Sequence, residues 1–264
     1  MSRPNPEPSV QAGVVDTHCH LFLVDREPSL VVEAAREAGV DRLICVGVDP
    51  ATSALSLELA DSIPGVFATA GMHPHDAALL DAAAGARIEE LLHDPRVVAV
   101  GECGLDFYRM RSPVEEQVRA LKIHIALSNE SGKPLVVHVR DAWPDALRAL
   151  DEGSAERVVI HCFSGDAAIA HECADRGYWI SFAGNVTYPK NEHLRQAARA
   201  VGGERILVET DAPFLSPQAL RGTDNEPANV LHAIAEVARV RDEGVQTMAE
   251  ATSRNARTAF PDLS

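Results

Sequence analysis

Histidine and carboxylate side chains recur along this 264-residue sequence at the ends of short apolar segments. Imidazole and carboxylate groups together suit Zn, Mn, Fe and Co, and they suit Mg where water completes the ligand shell. A bound divalent ion activates water for attack on a phosphate or a carbonyl group. The candidate ligands are His18, His20, Glu102, His138, His161 and Asp211. These residue types predict a metal-dependent hydrolase.

The apolar segments that carry these residues are rich in Val and Ile, and they alternate with longer segments rich in Ala and Leu. Such continuous apolar runs are typical of parallel strands buried on both faces. The runs cover residues 14–18, 42–48, 66–71, 97–102, 134–139, 158–163, 179–183 and 206–211. Eight strand–helix units predict an α/β fold, a single (β/α)8 TIM barrel. The alternative is an open doubly wound sheet, but no Gly-x-Gly-x-x-Gly follows the first strand.

Capping residues mark several of the predicted helices. Ser112 is predicted as an N-cap, with Pro113 in the first turn and Glu115 completing a capping box. Asp49 followed by Pro50 opens another helix in the same way. A last helix is expected near residues 246–260. Glycines at predicted C-terminal caps are Gly39, Gly132 and Gly177.

The predicted barrel brings the candidate ligands to one opening, because the carboxyl ends of its strands meet there. Strand alternation turns His18 and His20 to the same side. Six ligands exceed the three or four that one zinc ion takes, so we expect two divalent ions, Mg, Mn or Zn. Glu102 would bridge them, and Asp211 would orient a water and take its proton. The predicted sets are His18, His20, Glu102 and Asp211 for one ion, and Glu102, His138 and His161 for the other.

Composition limits the partners. Lys+Arg 24 against Asp+Glu 39 gives a net charge of −15, which excludes a wide basic surface for long nucleic acid. No apolar stretch approaches the roughly 20 residues of a membrane span, and the N-terminus lacks the apolar core of a secretory signal. Five scattered cysteines favour reduced thiols and a cytoplasmic location. Residues 1–13 are expected to form a disordered lead before a barrel domain at 14–264.

The motifs around these residues resemble those of the TatD family of metal-dependent hydrolases. They are DTHCH (16–20), GMHPH (71–75), GECGLD (101–106), PLVVHVRDA (134–142), IHCFSG (160–165) and VETDAPFL (208–215). The match also includes residues 225–227, 255–257 and Phe260, and it runs in order from about 14 to 260. Two positions depart from the family pattern: His124, where Gln is common, and Phe22, where an acidic residue is common.

This resemblance implies a TIM-barrel deoxyribonuclease or phosphodiesterase, and an exonuclease is the expected type. It assigns the metal to the six candidate ligands and places His73 near the substrate phosphate. No lysine stands at the end of the fourth strand, so Glu102 takes the place of the carbamylated lysine that some relatives use. Two ions would add four positive charges at one point, so we expect DNA to bind locally, at ends or as short strands.

Four residues near the predicted opening are candidates for substrate binding: His73, Arg109, Arg140 and Ser164. Arginine suits bidentate contact with phosphate, although each of these arginines alone is more often a surface or ion-pair residue. Ser164 could donate to phosphate or cap a helix, and His75 is expected to be a solvated loop residue.

Two other functions stay open at this point. The same site could hydrolyse a carbonyl substrate, such as a D-aminoacyl-tRNA ester, a cyclic amide or a lactone. Alternatively, the chain could be a non-catalytic barrel that binds metals structurally.

Overall fold

Eight parallel strands form one sheet in the computed structural model, which describes residues 10, 11 and 13–263. They are β1 Val14–Cys19, β2 Val40–Val46, β3 Val66–Ala70, β4 Val97–Asp106, β5 Leu135–Arg140, β6 Val158–Ile160, β7 Trp179–Phe182 and β8 Ile206–Val208. Each strand pairs with the next in chain order. A bridge between Cys19 and Ala212 joins the two ends of the sheet. The predicted (β/α)8 barrel is confirmed, and the open sheet is excluded.

Helices follow the strands and cover the outside of the barrel. They are α1 Pro28–Glu37, α2 Pro50–Ser62, α3 Ala82–Leu92, α4 Val114–Ser131, α5 Trp143–Glu152, α6 Ala167–Asp175, α7 Glu192–Ala200, α8 Val230–Arg241 and α9 Val245–Ala259. Residues from different strands, such as Val15, Ile44 and Val136, pack in one apolar cluster. This cluster lies inside the barrel, because side chains from these strands can contact one another only there. Ala256 of α9 and Phe260 join this cluster, so α9 closes the amino-terminal end and leaves the carboxyl end open.

The capping predictions succeeded at α2 and failed at α4. The Asp49 side chain accepts a hydrogen bond from Thr52 N at 2.7 Å, which completes a capping box. Helix α4 has Pro113 at its N-cap and no side-chain cap. The Ser112 hydroxyl instead donates to His75 O at 2.7 Å, because a tertiary partner after β3 outcompetes the helix end. The predicted C-cap glycines all adopt positive φ: Gly39, Gly132 and Gly177.

Most of the predicted lead, residues 1–9 and 12, lies outside the described residues, and so does Ser264. Of its described residues, Val10 packs against the core and Gln11 N donates to Gln246 Oε1 at 2.9 Å. All five cysteines are free thiols. No helix in the described part of the chain combines the length and the apolar character that crossing a membrane requires.

Candidate metal centre

All six predicted ligands lie at the carboxyl end of the barrel, close to one another. His18, Glu102 and His138 belong to β1, β4 and β5. The others lie just beyond a strand end: His20, His161 and Asp211. The side chains of His18 and Glu102 are 0% and 3% exposed, whereas that of Asp211 is 14% exposed. The structure therefore brings the predicted set together, with Asp211 and His138, whose side chains are 14% and 19% exposed, closest to the solvent.

The Glu102 carboxylate lies between two groups of imidazoles. Its Oε2 atom is 3.4 Å from His18 Nε2. Its Oε1 atom is 2.8 Å from His161 Nε2 and 3.2 Å from His138 Nδ1. Gly101 precedes it at φ +134°, where a Cβ would meet Val136 O at 2.6 Å, so glycine is needed for this close approach. The two oxygens thus face the two ligand sets that the sequence predicts.

His73 lies beside the same carboxylate. Its Nε2 atom is 3.4 Å from Glu102 Oε1, and the side chain is 14% exposed. The family resemblance predicts that His73 lies near the substrate phosphate. The structure also places its ring close enough to Glu102 and His138 for the three side chains to bind one ion. One group of residues with ligand atoms within 4.8 Å of each other is His73, Glu102 and His138.

Asp211 closes the other side of the centre. Its Oδ1 atom lies 3.5 Å from His20 Nε2 and 3.8 Å from His18 Nε2. Its backbone adopts φ +56°, a left-handed conformation that costs free energy in a non-glycine residue. Hydrogen bonds from Asp211 N to His18 O (2.9 Å) and from Phe214 N to Asp211 O (2.8 Å) hold it there.

The ring nitrogens of His18 supply the test of whether these residues fit a metal. His18 is fully buried, and within the described residues neither Nδ1 nor Nε2 has a hydrogen-bond partner. Buried polar atoms are rarely left unpaired. His18, His20 and Glu102 also offer ligand atoms within 4.8 Å of one another. A divalent cation would satisfy Nε2 here, so the donor set fits such an ion.

Hydrogen bonds outside the centre fix the histidine rings. His20 Nδ1 donates to Val46 O at 2.8 Å, which leaves Nε2 free to face Asp211. Glu209 Oε1 is 3.1 Å from His161 Nδ1 and also accepts from Cys162 N at 2.8 Å. Carboxylate and carbonyl partners of this kind set the tautomer and orientation of metal-binding imidazoles. Glu209 therefore supports His161.

Asp106 is a residue of the centre that the sequence reasoning missed. Its Oδ2 atom lies 2.9 Å from His75 Nε2 and 3.4 Å from His138 Nε2. His75 is half-buried, so its expected place in a solvated loop is wrong. The missed signal was alternation, because residues 102, 104 and 106 share one face of a strand. We expected β4 to end at Glu102, but it continues to Asp106.

Charges inside the centre shift several pKa values. Burial alone would raise the pKa of Glu102, but the neighbouring imidazoles of His161, His73 and His138 hold it well below its usual range. Burial would lower the pKa of His161, but Glu102 and Glu209 raise it well above its usual value. The Glu102 carboxylate therefore stays ionised among imidazoles at neutral pH.

Two buried residues near the centre have structural roles. The carboxylate of Asp16 accepts hydrogen bonds from Thr210 N at 2.9 Å and Thr210 Oγ1 at 2.5 Å, and burial raises its pKa to about 8. These bonds tie β1 to the segment that carries Asp211. His124 donates from Nδ1 to Ala120 O and accepts from Met72 N, and burial lowers its pKa to about 4, so it is a neutral packing residue.

The remaining substrate candidates lie on the rim of the opening. The Arg140 guanidinium stacks over the Tyr108 ring at 4.0 Å from its centroid. Arg109 is exposed, and its backbone N donates to Asp106 Oδ1 at 2.7 Å. The Ser164 hydroxyl donates to Val139 O at 2.8 Å. Helix α6 is capped by Asp166, so Ser164 is not its cap.

Comparisons with known proteins identify the family of the chain. The family described as TatD related DNase matches residues 15–261. A metal-dependent hydrolase of Mycobacterium tuberculosis is 38% identical over 94% of this chain and 97% of its own. A protein of Klebsiella pneumoniae named 3'-5' ssDNA/RNA exonuclease is 38% identical over 89% of this chain and 92% of its own.

A solved structure gives the same result. A TatD homologue from Escherichia coli superimposes with a TM-score of 0.90 at 27% identity, covering 95% of this chain and 98% of its own. The barrel, the order of the motifs and the convergence of their side chains are thus accompanied by similarity over nearly the full length. The chain belongs to the TatD family of metal-dependent hydrolases.

Proposed function

We propose that this hydrolase is a deoxyribonuclease that removes nucleotides from the ends of short or single strands, in the cytoplasm, with two divalent ions (Mg, Mn or Zn). The observation that carries the proposal is the Glu102 carboxylate, which presents one oxygen to His18 and the other to His138 and His161. Paired ions on either side of such a bridge are the arrangement that phosphodiester hydrolases use. The free thiols are compatible with a reducing compartment.

Each residue of the centre has a proposed task. His18, His20 and Asp211 would hold one ion, His138 and His161 the other, and Glu102 both. When bound, the ions would acidify the attacking water and neutralise the phosphate oxygens. Asp211 is the more exposed carboxylate, at 14% against 3% for Glu102, so it is placed to orient the water and accept its proton. His73, 14% exposed, would donate to a phosphate oxygen.

The net charge of the chain supports binding through only a few nucleotides of the substrate. The chain carries a net charge of −15, so few phosphates away from the centre would be attracted. Binding of a strand end or a short strand would require contacts only with the phosphates beside the ions. The Klebsiella pneumoniae relative is named for 3'-5' action on ssDNA and RNA, and we propose the same polarity on single strands here.

A polarity-resolved assay tests this function. The metal-loaded protein is incubated with single-stranded DNA labelled at either end, with a D-aminoacyl-tRNA, and with a lactone and a cyclic amide. We expect mononucleotides released from the 3' end, and chelation with EDTA to stop the reaction. The slope of log affinity against log salt concentration should be shallow, about −1 to −2. Turnover of a carbonyl substrate with DNA left intact under Mg, Mn and Zn would overturn the proposal.

A further inference from the structure

The rim of the opening carries an exposed aromatic ring with a fixed position. Tyr108 is 59% exposed, although large aromatic side chains usually bury most of their surface. It follows Asp106 on the segment that leaves β4. Asp106 Oδ1 accepts hydrogen bonds from Tyr108 N at 2.9 Å and Arg109 N at 2.7 Å. Asp106 Oδ2 reaches His75 and His138, so the turn that carries the ring is attached to the metal centre.

Arg140 supports one face of this ring. Its guanidinium carbon lies 4.0 Å from the Tyr108 centroid. Val136, two residues before His138, belongs to the cluster inside the barrel, whereas Val137 and Val139 pack outside it. By alternation Arg140 therefore points to the same side as His138. The Tyr108 ring is thus stacked on a cation that faces the opening.

The positive charge around the ring is not neutralised by the protein. Within the described residues, neither Arg109 nor Arg140 has a carboxylate at ion-pair distance, whereas other arginines such as Arg26 and Arg176 do. In a chain of net charge −15, these two arginines give the rim beside the exposed ring a local positive charge. An aromatic face next to unpaired arginines is the combination that binds single-stranded nucleic acid.

We propose that Tyr108, backed by Arg140, is a stacking platform for the base of a nucleotide next to the scissile phosphodiester. The proposal rests on the proposed nuclease function and adds a specificity determinant to it. Stacking is tolerant of base identity because every base has a π-face. The platform would therefore select nucleic acid with an unpaired, accessible base over other phosphodiesters, without selecting a sequence.

Fluorescence of a stacked base tests the platform without catalysis. A single-stranded oligonucleotide with 2-aminopurine at its 3' end and hydrolysis-resistant phosphorothioate linkages is titrated with metal-loaded protein. We expect quenching by the parent and by Tyr108→Phe and Tyr108→Trp, and its loss in Tyr108→Leu. Leu30 is 52% exposed on α1 and is not part of the proposed platform, so Leu30→Ala is the matched control and should quench like the parent. Equal quenching by Tyr108→Leu would overturn the proposal.

A second comparison separates stacking from a structural role. In the metal-loaded protein, removing the terminal base from the DNA should raise KM about tenfold for the parent. The Tyr108→Leu variant should have a KM for intact DNA that is raised by a similar factor. Removing the terminal base should then change the KM of this variant no further. Additive effects of the two changes would contradict the platform. If the parent cleaves no DNA at all, the nuclease proposal has failed, which is a different outcome.

Discussion

Replacing Glu102 with glutamine is expected to lower DNA cleavage on the order of 1,000-fold and to reduce the bound metal from about two ions per chain to one or none. The two oxygens of Glu102 face the two ligand sets, at 3.4 Å from His18 and 2.8 Å from His161. A neutral amide offers only one acceptor oxygen and no charge to hold two cations. Turnover and metal content should therefore fall together.

The measurement is metal analysis of the purified protein alongside a single-turnover cleavage assay. Glu58→Gln is the matched control, because Glu58 is an exposed glutamate on α2, outside the centre. Circular dichroism of both variants checks that the fold is retained. A folded Glu102→Gln protein with parental metal content and parental turnover would show that this carboxylate holds no ion.

Replacing Asp211 with asparagine is expected to separate metal binding from chemistry. The amide keeps an oxygen near His20 and His18, where Asp211 Oδ1 lies at 3.5 and 3.8 Å. It cannot accept a proton from water, and loss of a general base costs about 100- to 10,000-fold in rate. We expect kcat to fall by that factor, while much of the metal and the KM for DNA are retained.

Asp224→Asn is the control for this variant, because Asp224 is an exposed aspartate on the same segment after β8. It should cleave DNA at the parental rate. If Asp211→Asn kept its metals and turned over like the parent, the proton would be taken by another group. If it lost its metals completely, the loss of turnover would reflect the role of Asp211 as a ligand, and no separate role as a base could be assigned to it.

The barrel was predictable because its signals are repeated. Each of the eight apolar runs became a strand, and the continuous Val- and Ile-rich composition of a run such as residues 97–102 reports burial on both faces. Strand ends in a closed parallel barrel meet at one place, so the convergence of His18, Glu102 and His161 followed from their positions alone. The fold and the ligand types could therefore be predicted from the sequence alone.

The residues that contact the ligands were harder to predict, because these contacts join positions that are distant in sequence. Asp106 escaped notice because the predicted strand ends at Glu102, whereas β4 continues to Asp106. Ser112 was assigned to the nearest helix end, but its hydroxyl bonds to His75 O, 37 residues away. The pairing of β1 with β2 also shifts register between Asp16 and Cys19, which simple alternation does not anticipate.

The net charge of −15 now has a more specific meaning. It excludes a broad basic surface but not nucleic acid, because the proposed contacts are confined to the ions and to the rim. Arg109 and Arg140 have no carboxylate partner within the described residues, and they lie beside Tyr108 at the opening. An acidic chain with a small positive region beside the opening suits an enzyme that engages a strand end and releases it quickly.

Anomalous diffraction from crystals grown with Mn²⁺ tests the two-ion centre most directly. We expect two peaks about 3.5–4 Å apart, one beside Glu102 Oε2 with His18 and His20, the other beside Oε1 with His138 and His161. Glu102→Gln crystals should lose at least one of them. A single peak in the parent protein under saturating Mn²⁺, or a second peak away from Glu102, would contradict the bridging carboxylate and the two-ion mechanism built on it.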